Sequence, residues 1–302
     1  MTLAITGSTG FVGQAVLEDA GMKEIRVKAL ARRPQSARPG IDWVRGDLAD
    51  RQALAELVRG CSAVIHIAGV VNAPDAIGFI AGNVAGTEAV LEAAGEAGVK
   101  RFIHVSSLAA KEPDLSLYGH SKRLAENAVE ESDLDWTIVR PPAVYGPRDT
   151  ELLELFKAAR WRVVPMPPPG RASIIHVADL ASLLVTLAQE NSDTIRHIYE
   201  PDDGRGEGWS HRELAKAIGR AVGRSVWAPH MPRRALMAAA QADRFMRGEG
   251  AKLTPDRASY MAHPDWTSDP ARACPRDLWH ATIPTREGLE DTARWYRENG
   301  FL

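Results

Sequence analysis

A tyrosine and a lysine lie four residues apart in the segment YGHSK (118–122), directly before the helix-forming run RLAENAVEE. Residues at positions i and i+4 share one face of a helix, so Tyr118 and Lys122 are expected to point in the same direction. An ammonium group beside a phenol favours loss of the phenolic proton. The spacing therefore predicts an acid/base role for Tyr118. The alternative is an aromatic ring that packs on the stem of a surface lysine.

The composition is that of an ordinary globular protein. The 302 residues are 45% hydrophobic and 25% charged, with a formal net charge of −2, so one large domain or two smaller ones are expected. The sequence contains no basic stripe, so it does not predict a nucleic-acid partner. The first residues, MTLAITG, do not resemble a signal peptide, and no apolar run approaches the ~20 residues that span a bilayer. The two distant cysteines, Cys61 and Cys274, do not indicate a disulfide framework and favour a cytoplasmic protein. The nine histidines are scattered without ligand spacing and do not predict a metal site.

Short apolar runs alternate with amphipathic stretches over the first 140 residues. Apolar runs without internal alternation, each followed by a helical pattern, are typical of a parallel sheet covered on both faces. Right-handed crossovers then favour a doubly wound α/β sheet of the Rossmann type. The predicted strands are 3–6, 25–30, 41–44, 62–68, 100–107 and 135–140, and the predicted helices are 11–20, 51–59, 79–97 and 118–131.

The pattern changes after Pro141, where proline-rich connections begin. A capping box from Ser210 to Glu213 predicts the start of a helix, and the region beyond Gly208 holds five of the eight tryptophans. The predicted elements are a short helix and strand within 151–164, a helix at 177–190, and a strand at 196–201 that returns to the main sheet. The predicted domains are a Rossmann domain from 1–146 plus 172–204 and a small C-terminal substrate-binding domain from 147–171 plus 205–302.

The first predicted strand ends in TGSTGFVG, and a helix begins at once. Gly7 would permit the tight turn, and Gly10 would let backbone N–H groups approach a pyrophosphate at the helix N-terminus. Gly13 would let the helix pack closely on the strand. The position of this loop directly after the first strand favours a dinucleotide site over a plain strand–helix turn.

The end of the second predicted strand, ALARRP, bears on which dinucleotide is bound. NAD sites usually place Asp or Glu there to hold the ribose 2′-OH, whereas this chain has Ala31 followed by Arg32 and Arg33. A guanidinium can bind a 2′-phosphate through two hydrogen bonds. The sequence therefore predicts NADP(H) over NAD(H), unless both arginines simply form a solvated loop edge.

Ordered motifs through nearly the whole chain resemble those of the extended short-chain dehydrogenases/reductases, the epimerase/dehydratase superfamily. The form RPPxVYGPRD is most similar to the 3β-hydroxysteroid dehydrogenase and dihydroflavonol-reductase-like branches. The matching segments are TGSTGFVG (6–13), GDL (46–48), HIAG (66–69), NVAGT (83–87), VSS (105–107), YGHSK (118–122), RPPAVYGP (140–147), IHVADLA (175–181) and PTREGLEDTARWYRENG (284–300).

The resemblance implies roles for individual residues. Tyr118 would donate a proton to a substrate carbonyl, and Lys122 would lower the tyrosine pKa and bind the nicotinamide ribose. Ser107, rather than its neighbour Ser106, would hydrogen-bond the reacting oxygen, and Asn83 would belong to the proton relay. The implied cofactor contacts are Gly7, Thr9, Gly10, Phe11, Val12 and Gly13 in the loop, Arg32 and Arg33, Asp47 and Leu48 by the adenine, Ala68 and Gly69 by the adjoining ribose and phosphates, Pro141 and Val144 by the nicotinamide, and Tyr118 and Lys122.

The chemistry is consistent with these roles. Hydride transfer to a ketone builds negative charge on oxygen, so the site must supply a proton and a hydrogen-bond donor there. Tyr118 and Ser107 can supply both, while the nicotinamide carries the difficult step.

Three functions remain open: an NADPH-dependent ketoreductase, a nucleotide-sugar epimerase or dehydratase, and a non-catalytic NADP-binding protein. Sugar-nucleotide members of the family usually carry Asn where this chain has Ala143, and the epimerases' tendency to prefer NAD disagrees with Arg32. Binding-only members often lose one of Ser107, Tyr118 and Lys122. The sequence therefore favours a ketoreductase for a bulky, largely apolar ketone, such as a 3-oxo steroid, a ceramide or sphingolipid precursor, or another 3-oxo lipid.

Three further expectations concern packing and partners. VWAPHMPRRALMAAAQA (226–242) predicts a proline-led apolar helix, which could be core, wall a lipid pocket or lie against a membrane surface. The resemblance makes a homodimer through 79–97 and 118–131 an option. His66 and His104 lie inside predicted strands and are expected to be core or strand-end residues.

Overall fold

The computed structural model describes residues 1–189, 193–251 and 253–302. The strands are β1 (Thr2–Thr6), β2 (Arg26–Ala31), β3 (Ile41–Arg45), β4 (Ala63–His66), β5 (Arg101–Val105), β6 (Asp135–Val139), β7 (Ala143–Tyr145), β8 (Arg171–Ala172), β9 (Ile174–His176), β10 (His197–Tyr199), β11 (Trp209–Ser210) and β12 (Asp265–Trp266). The α-helices are α1 (Phe11–Met22), α2 (Arg51–Val58), α3 (Ala76–Phe79), α4 (Gly86–Glu96), α5 (Leu117–Glu130), α6 (Leu153–Arg160), α7 (Val177–Gln189), α8 (His211–Ala221), α9 (Arg233–Arg247), α10 (Pro255–Met261) and α11 (Thr285–Glu298). A π-helical turn spans Ile80–Ala85, and 3-10 turns span Leu108–Lys111, Pro113–Leu115, Gly248–Gly250 and Pro270–Arg272.

Within the described ranges, seven parallel strands form the main sheet in the order β10-β6-β5-β4-β1-β2-β3. The order reverses between β1 and β4, and ligands of doubly wound sheets bind outside the carboxyl ends of the strands at such a point. The structure thus confirms the predicted Rossmann-type α/β fold. The register also aligns Thr6, His66 and His104 in one row at the carboxyl ends of β1, β4 and β5.

The apolar strands fill the interior of the sheet. Ile5, Ile65 and Ile103 are fully buried. Leu54 of α2 and Val90 of α4 belong to a core cluster that also includes residues of the strands. Each such side chain contributes about 1.5–3 kcal/mol by leaving water, which explains why the strands are apolar along their length.

The chain forms two compact units. The first comprises Met1–Pro141, Ala178–Glu200 and Cys274–His280, and the second comprises Pro142–Val177, Pro201–Ala273 and Ala281–Leu302. The first unit ends before the predicted limit of residue 146 because β7 pairs with β9 instead of joining the main sheet. The assignment of cofactor binding and substrate binding to separate domains stays a prediction.

The second unit has its own core. It includes Phe156 of α6, Ile218 of α8 and Tyr296 of α11. The capping box predicted for α8 is confirmed: Ser210 Oγ accepts from the Glu213 N–H at 3.2 Å, and Glu213 Oε2 accepts from the Ser210 N–H at 2.9 Å. Among the described residues, no helix is both long enough and apolar enough to cross a bilayer.

Two predicted helices differ from the structure. The helix expected at 79–97 consists of α3, the π-helical turn and α4. The helix expected at 177–190 ends at Gln189, and residue 190 lies outside the described residues. The strand expected at 196–201 is the shorter β10, which returns to the main sheet by pairing with β6, as predicted.

The helix predicted after a proline-led entry within 226–242 is α9, which begins at Arg233 directly after Pro232. The preceding segment is held in extended form because Trp227 O and Pro229 O accept from the N–H groups of Val164 and Met166, each at 2.9 Å. Isolated bridges therefore replace the strand predicted near residue 164. In α9 itself, Leu236 and Ala240 are buried in a small cluster with Ala258 of α10.

Candidate active site

The glycine loop is shaped by two close approaches of backbone. Gly7 has φ 70°, and a Cβ there would lie 2.6 Å from Ala68 N. A Cβ on Gly13 would lie 2.1 Å from Gly7 O, so neither position accepts a larger residue without movement. The Gly10 N–H donates to Gly7 O at 3.0 Å and closes the turn. These contacts match the turn expected at Gly7 and the close packing expected at Gly13, and the approach of a pyrophosphate at Gly10 stays a prediction.

The start of α1 fits a phosphate group. Gly10 caps the helix without a side-chain hydrogen bond, and the first bond of the helix runs from the Gln14 N–H to Gly10 O at 2.9 Å. In the part of the chain that the structure describes, the N–H groups of Phe11, Val12 and Gly13 have no protein acceptor. Unsatisfied amide donors at a helix N-terminus form a natural anion site. Thr9 lies exposed beside them.

Three arginines lie in the loop that follows β2. Arg32 and Arg33 are exposed, and neither forms an ion pair within the described residues. Arg38, which the sequence reasoning missed, donates from Nη1 to Gln14 Oε1 of α1 at 3.0 Å. Its guanidinium is therefore held beside the helix of the glycine loop. The repeated arginines in ARRPQSARPG were the available signal, but only the fold brings Arg38 to α1.

The residues predicted near the adenine follow β3. Asp47 is exposed, and its Oδ1 accepts from the Ala49 N–H at 2.9 Å. Leu48 is half-buried and packs so closely on α4 that a Cβ on Gly86 would lie 2.6 Å from Leu48 Cδ1. Asp47 thus shapes a turn and Leu48 contributes to packing, and contact with an adenine stays a prediction for both.

Three of the predicted site residues meet after β4. A Cβ on Gly69 would lie 3.0 Å from Asn83 Oδ1 and 3.7 Å from Lys122 Nζ. The Ala68 N–H donates to Thr6 Oγ1 at 3.2 Å, which fixes the loop against the end of β1. Glycine at position 69 therefore leaves room directly beside the lysine amine.

Asn83 lies buried in the π-helical turn and joins three segments. Its Oδ1 accepts from the Val70 N–H at 2.6 Å, and its Nδ2 donates to Val70 O at 3.0 Å and to Ser121 Oγ at 2.8 Å. Ser121 Oγ in turn donates to Tyr118 O at 2.8 Å. The asparagine thus positions the first turn of α5, and its part in a proton relay stays a prediction.

His66 lies at the centre of a buried chain of hydrogen bonds. Thr87 Oγ1 donates to Asn83 O at 2.6 Å, so it must accept from His66 Nε2–H at 3.0 Å. His66 Nδ1 then accepts from Thr6 Oγ1 at 2.7 Å. Burial, together with the charge of Lys122, lowers the pKa of His66 to about 3, so the ring is neutral. The chain of bonds connects β1 with the turn that carries Asn83.

Replacing His66 by leucine is expected to lower the free energy of unfolding by about 1–3 kcal/mol, because it removes the partner of two buried threonine hydroxyls. His104 is the matched control. It is buried beside His66 with ring centroids 5.5 Å apart, but within the described residues neither of its nitrogens has a hydrogen-bond partner. His104→Leu should leave the stability unchanged or raise it. If urea denaturation showed the same loss of unfolding free energy for both variants, the hydrogen bonds of His66 would not contribute to stability.

Ser107 and Tyr118 lie on two turns that pack directly on each other. Ser107 follows β5, is 9% exposed, and its Oγ accepts from the Ala109 N–H at 3.2 Å. Tyr118 lies half-buried in the first turn of α5, with its ring 6.2 Å from that of Phe79. A Cβ on Gly119 would lie 2.6 Å from Ala109 O, which shows how closely the turns approach. Ser106, the less favoured neighbour, is buried without a hydroxyl partner in the described residues.

Lys122 lies one turn after Tyr118 and is buried. Its Nζ donates to Val105 O at the end of β5 at 2.8 Å. Burial lowers the pKa of the ammonium to about 8, and the carboxylate of Glu126 opposes this effect. A cation in such surroundings stabilises a nearby phenolate strongly, because little water screens the two charges. The arrangement suits the acid/base role predicted for Tyr118.

A buried ion network that the sequence reasoning missed joins α5 to the end of β6. Arg140 donates from Nε to Glu126 Oε1 at 2.8 Å and from Nη2 to Glu126 Oε2 at 2.6 Å. Its Nη1 donates to Glu200 Oε1 at 3.3 Å, and Lys111 Nζ donates to Glu200 Oε2 at 3.1 Å. Both glutamate side chains are fully buried. The network fixes the helix of Tyr118 and Lys122 on the sheet.

The two residues predicted at the nicotinamide lie in different units. Pro141 is buried in the first unit, and its carbonyl accepts from the Leu108 N–H at 3.1 Å, directly after Ser107. Val144 lies in β7 of the second unit, opposite Ile175 of β9. The nicotinamide contact stays a prediction for both.

Comparison with known proteins identifies the family and the fold. Residues 7–191 match the family model of NAD(P)H-binding proteins. The chain is 36% identical to a ceramide reductase of Caulobacter vibrioides, over 99% of this chain and 96% of the relative. It is 30% identical to a 4-hydroxy-2-methyl-3-oxo-4-farnesyl-3,4-dihydroquinoline-1-oxide ketoreductase of Stigmatella aurantiaca, over 63% of this chain and 65% of the relative. Among crystal structures, MoeE5 in complex with UDP-glucuronic acid and NAD shares the fold, with a TM-score of 0.72, 22% identity and 99% coverage of both chains.

The chain therefore belongs to the NAD(P)H-binding family, within the extended short-chain dehydrogenase/reductase and epimerase/dehydratase superfamily. The resemblance inferred from the sequence motifs is confirmed. Fold, family and reductase relatives together support an NAD(P)-dependent oxidoreductase.

Proposed function

We propose that this protein is an NADPH-dependent ketoreductase that reduces a bulky, largely apolar 3-oxo lipid, of which a ceramide precursor is the leading candidate. The observation that carries the proposal is the placement of Ser107, Tyr118 and Lys122 on packed turns at the carboxyl edge of the sheet. The ceramide reductase from Caulobacter, matched over almost the whole of both chains, supports a lipid substrate.

In the proposed reaction, the residues of the first unit bind, orient and protonate. The free amides of α1 would hold the pyrophosphate, and the bound nicotinamide would supply the hydride. Ser107 would donate a hydrogen bond to the ketone oxygen, and Tyr118 would deliver the proton that completes the alcohol. The buried ammonium of Lys122 would stabilise the tyrosinate left behind.

The proposal is tested by following NADPH oxidation over a panel of ketones: 3-oxo-sphingolipids, 3-oxo-acyl ceramides, 3-oxo steroids and 4-keto nucleotide sugars. Turnover is expected with the apolar ketones and not with the sugar nucleotides. Oxidation of NADPH confined to the keto sugars would instead identify a nucleotide-sugar reductase, and conversion of a nucleotide sugar without net oxidation of NADPH would identify an epimerase or dehydratase. Binding of NADPH without turnover of any ketone would favour a binding protein.

The preference for NADPH is proposed to reside in Arg32 and Arg33. Replacing both by alanine is expected to lower the ratio of NADPH to NADH affinity by about 10- to 100-fold, the effect of losing charge-assisted hydrogen bonds to a 2′-phosphate. Arg26 is the matched control, because it lies exposed at the opposite end of β2 and pairs with Asp42. Fluorescence titration with both nucleotides measures the ratio. Tighter binding of NADH by the wild-type protein would contradict the proposed cofactor.

A further inference from the structure

Two tryptophans are displayed together on the surface of the second unit. Trp161 is 85% exposed, Trp227 is 69% exposed, and Val163 beside them is 39% exposed. The Trp227 N–H donates to Arg162 O, and Trp227 O accepts from the Val164 N–H, each at 2.9 Å. Because Val164 is fully buried beneath this pairing, the exposed side chains lie on a fixed support. Exposed apolar groups of this size, held together, indicate an interaction surface.

Arginines lie beside Trp161. One surface cavity is lined by Arg160, Trp161, Val222, Arg224, Arg297 and Leu302. We call the combined surface the Trp–Arg face; it consists of Trp161, Val163, Trp227, Arg160, Arg162, Arg224 and Arg297. Over the ranges that the structure describes, none of its four arginines pairs with a carboxylate. By contrast, Arg294 and Arg286 of α11 pair with Asp291 and Glu290.

The four arginines lie at or just past the C-terminal ends of helices. Arg160 and Arg297 lie in the last turns of α6 and α11, where a cation is stabilised by the helix dipole. Arg162 and Arg224 lie just past the C-terminal ends of α6 and α8, where the Arg224 N–H donates to Gly219 O at 2.8 Å. The helix dipoles leave the exposed tryptophans unexplained. The face thus combines a local positive charge with apolar groups, on a chain whose net charge is −2.

We propose that the Trp–Arg face docks the protein on the surface of an anionic phospholipid bilayer. Tryptophan rings favour the level of the lipid headgroups, and arginines bind the phosphates there. A second copy of the chain fits less well, since a two-fold interface would bring the four arginines against the same four. Single-stranded nucleic acid could stack on the tryptophans, but the aliphatic side chains of Val163, Val222 and Leu302 suit a lipid surface better than stacked bases. The proposal rests on this surface alone and does not require the proposed reaction.

The experiment is co-sedimentation of the full chain with vesicles of phosphatidylcholine, with and without phosphatidylglycerol. Binding is expected only with the anionic lipid, and it should weaken as salt is added, because salt screens the arginine charges. Trp161→Ala/Trp227→Ala and Arg160→Gln/Arg224→Gln should each weaken the partition coefficient by at least ~10-fold. Circular dichroism should show that both variants remain folded, since every substituted side chain is exposed.

The matched control is Arg26→Gln/Arg286→Gln, which removes the same charge from exposed arginines that pair with carboxylates. It should bind the anionic vesicles like the wild type. The proposal is overturned if the wild-type protein does not bind anionic vesicles at low salt. It is also overturned if the control variant and the face variants lose the same affinity for these vesicles. Loss of single-stranded RNA binding in the face variants, with vesicle binding intact, would assign the face to nucleic acid instead.

Discussion

Tyr118→Phe is expected to lower kcat by about 10²- to 10⁴-fold, because it removes the proton that the ketone oxygen must receive. The NADPH affinity should weaken by no more than ~10-fold, since the hydroxyl contributes at most one hydrogen bond to the cofactor. NADPH oxidation with a 3-oxo lipid measures the first quantity, and fluorescence titration measures the second. A variant with undiminished kcat would show that another group supplies the proton.

The adjacent serines provide a matched control for the same site. Ser107→Ala should lower kcat as well, because the reacting oxygen would lose its second donor. Ser106→Ala should change kcat little, although it removes a hydroxyl of the same kind one residue away. If the two effects were reversed, Ser106 would be the residue that contacts the ketone, and the predicted assignment would be wrong.

Glu126→Ala is expected to lower the free energy of unfolding by about 3–5 kcal/mol, because it leaves the buried guanidinium of Arg140 without its two-point partner. Glu130→Ala is the control, since it lies one turn further along α5 and pairs with Arg123 at 3.1 Å near the surface. Glu130→Ala should lower the free energy of unfolding by less than about 1 kcal/mol. Urea denaturation compares the two variants. If Glu126→Ala lowered the free energy of unfolding by less than Glu130→Ala does, the ion network would not stabilise the fold.

The Glu126 variant should also change the pH dependence of turnover. The Glu126 carboxylate raises the pKa of Lys122 against the larger effect of burial. Without that carboxylate, Lys122 loses its proton at a lower pH, so the alkaline decline of kcat should move toward neutral pH. An unchanged profile would mean that the charge of Lys122 does not support catalysis.

The sequence predicted those features that depend on nearby residues. The spacing of Tyr118 and Lys122 is a property of a single helix, and the glycine loop is a property of one strand–helix turn. The apolar runs were enough to predict the Rossmann fold, because a buried parallel strand must be apolar on both faces. The capping box of α8 was equally local, and all of these features were found in the structure.

The features that were missed depend on residues far apart in the chain. The row of Thr6, His66 and His104 follows from the strand register, which no local pattern specifies. Arg140 meets Glu126 and Glu200 only after three elements have packed together. The pairing of Trp227 and Pro229 with Val164 and Met166 likewise joins distant parts of the chain, and no local pattern specifies it.

We propose that a ketone carbon receives hydride from NADPH at this site while Tyr118 supplies the proton. The most direct test incubates the protein with a 3-oxo lipid and NADPH that carries deuterium on the transferred position of the nicotinamide, followed by mass spectrometry of the alcohol. We predict one deuterium on the carbinol carbon of the product, whereas the Tyr118→Phe variant should form at most traces of the same labelled alcohol. Recovery of the unreduced ketone with fully labelled NADPH, while a nucleotide sugar is epimerised without net oxidation of the cofactor, would contradict the account.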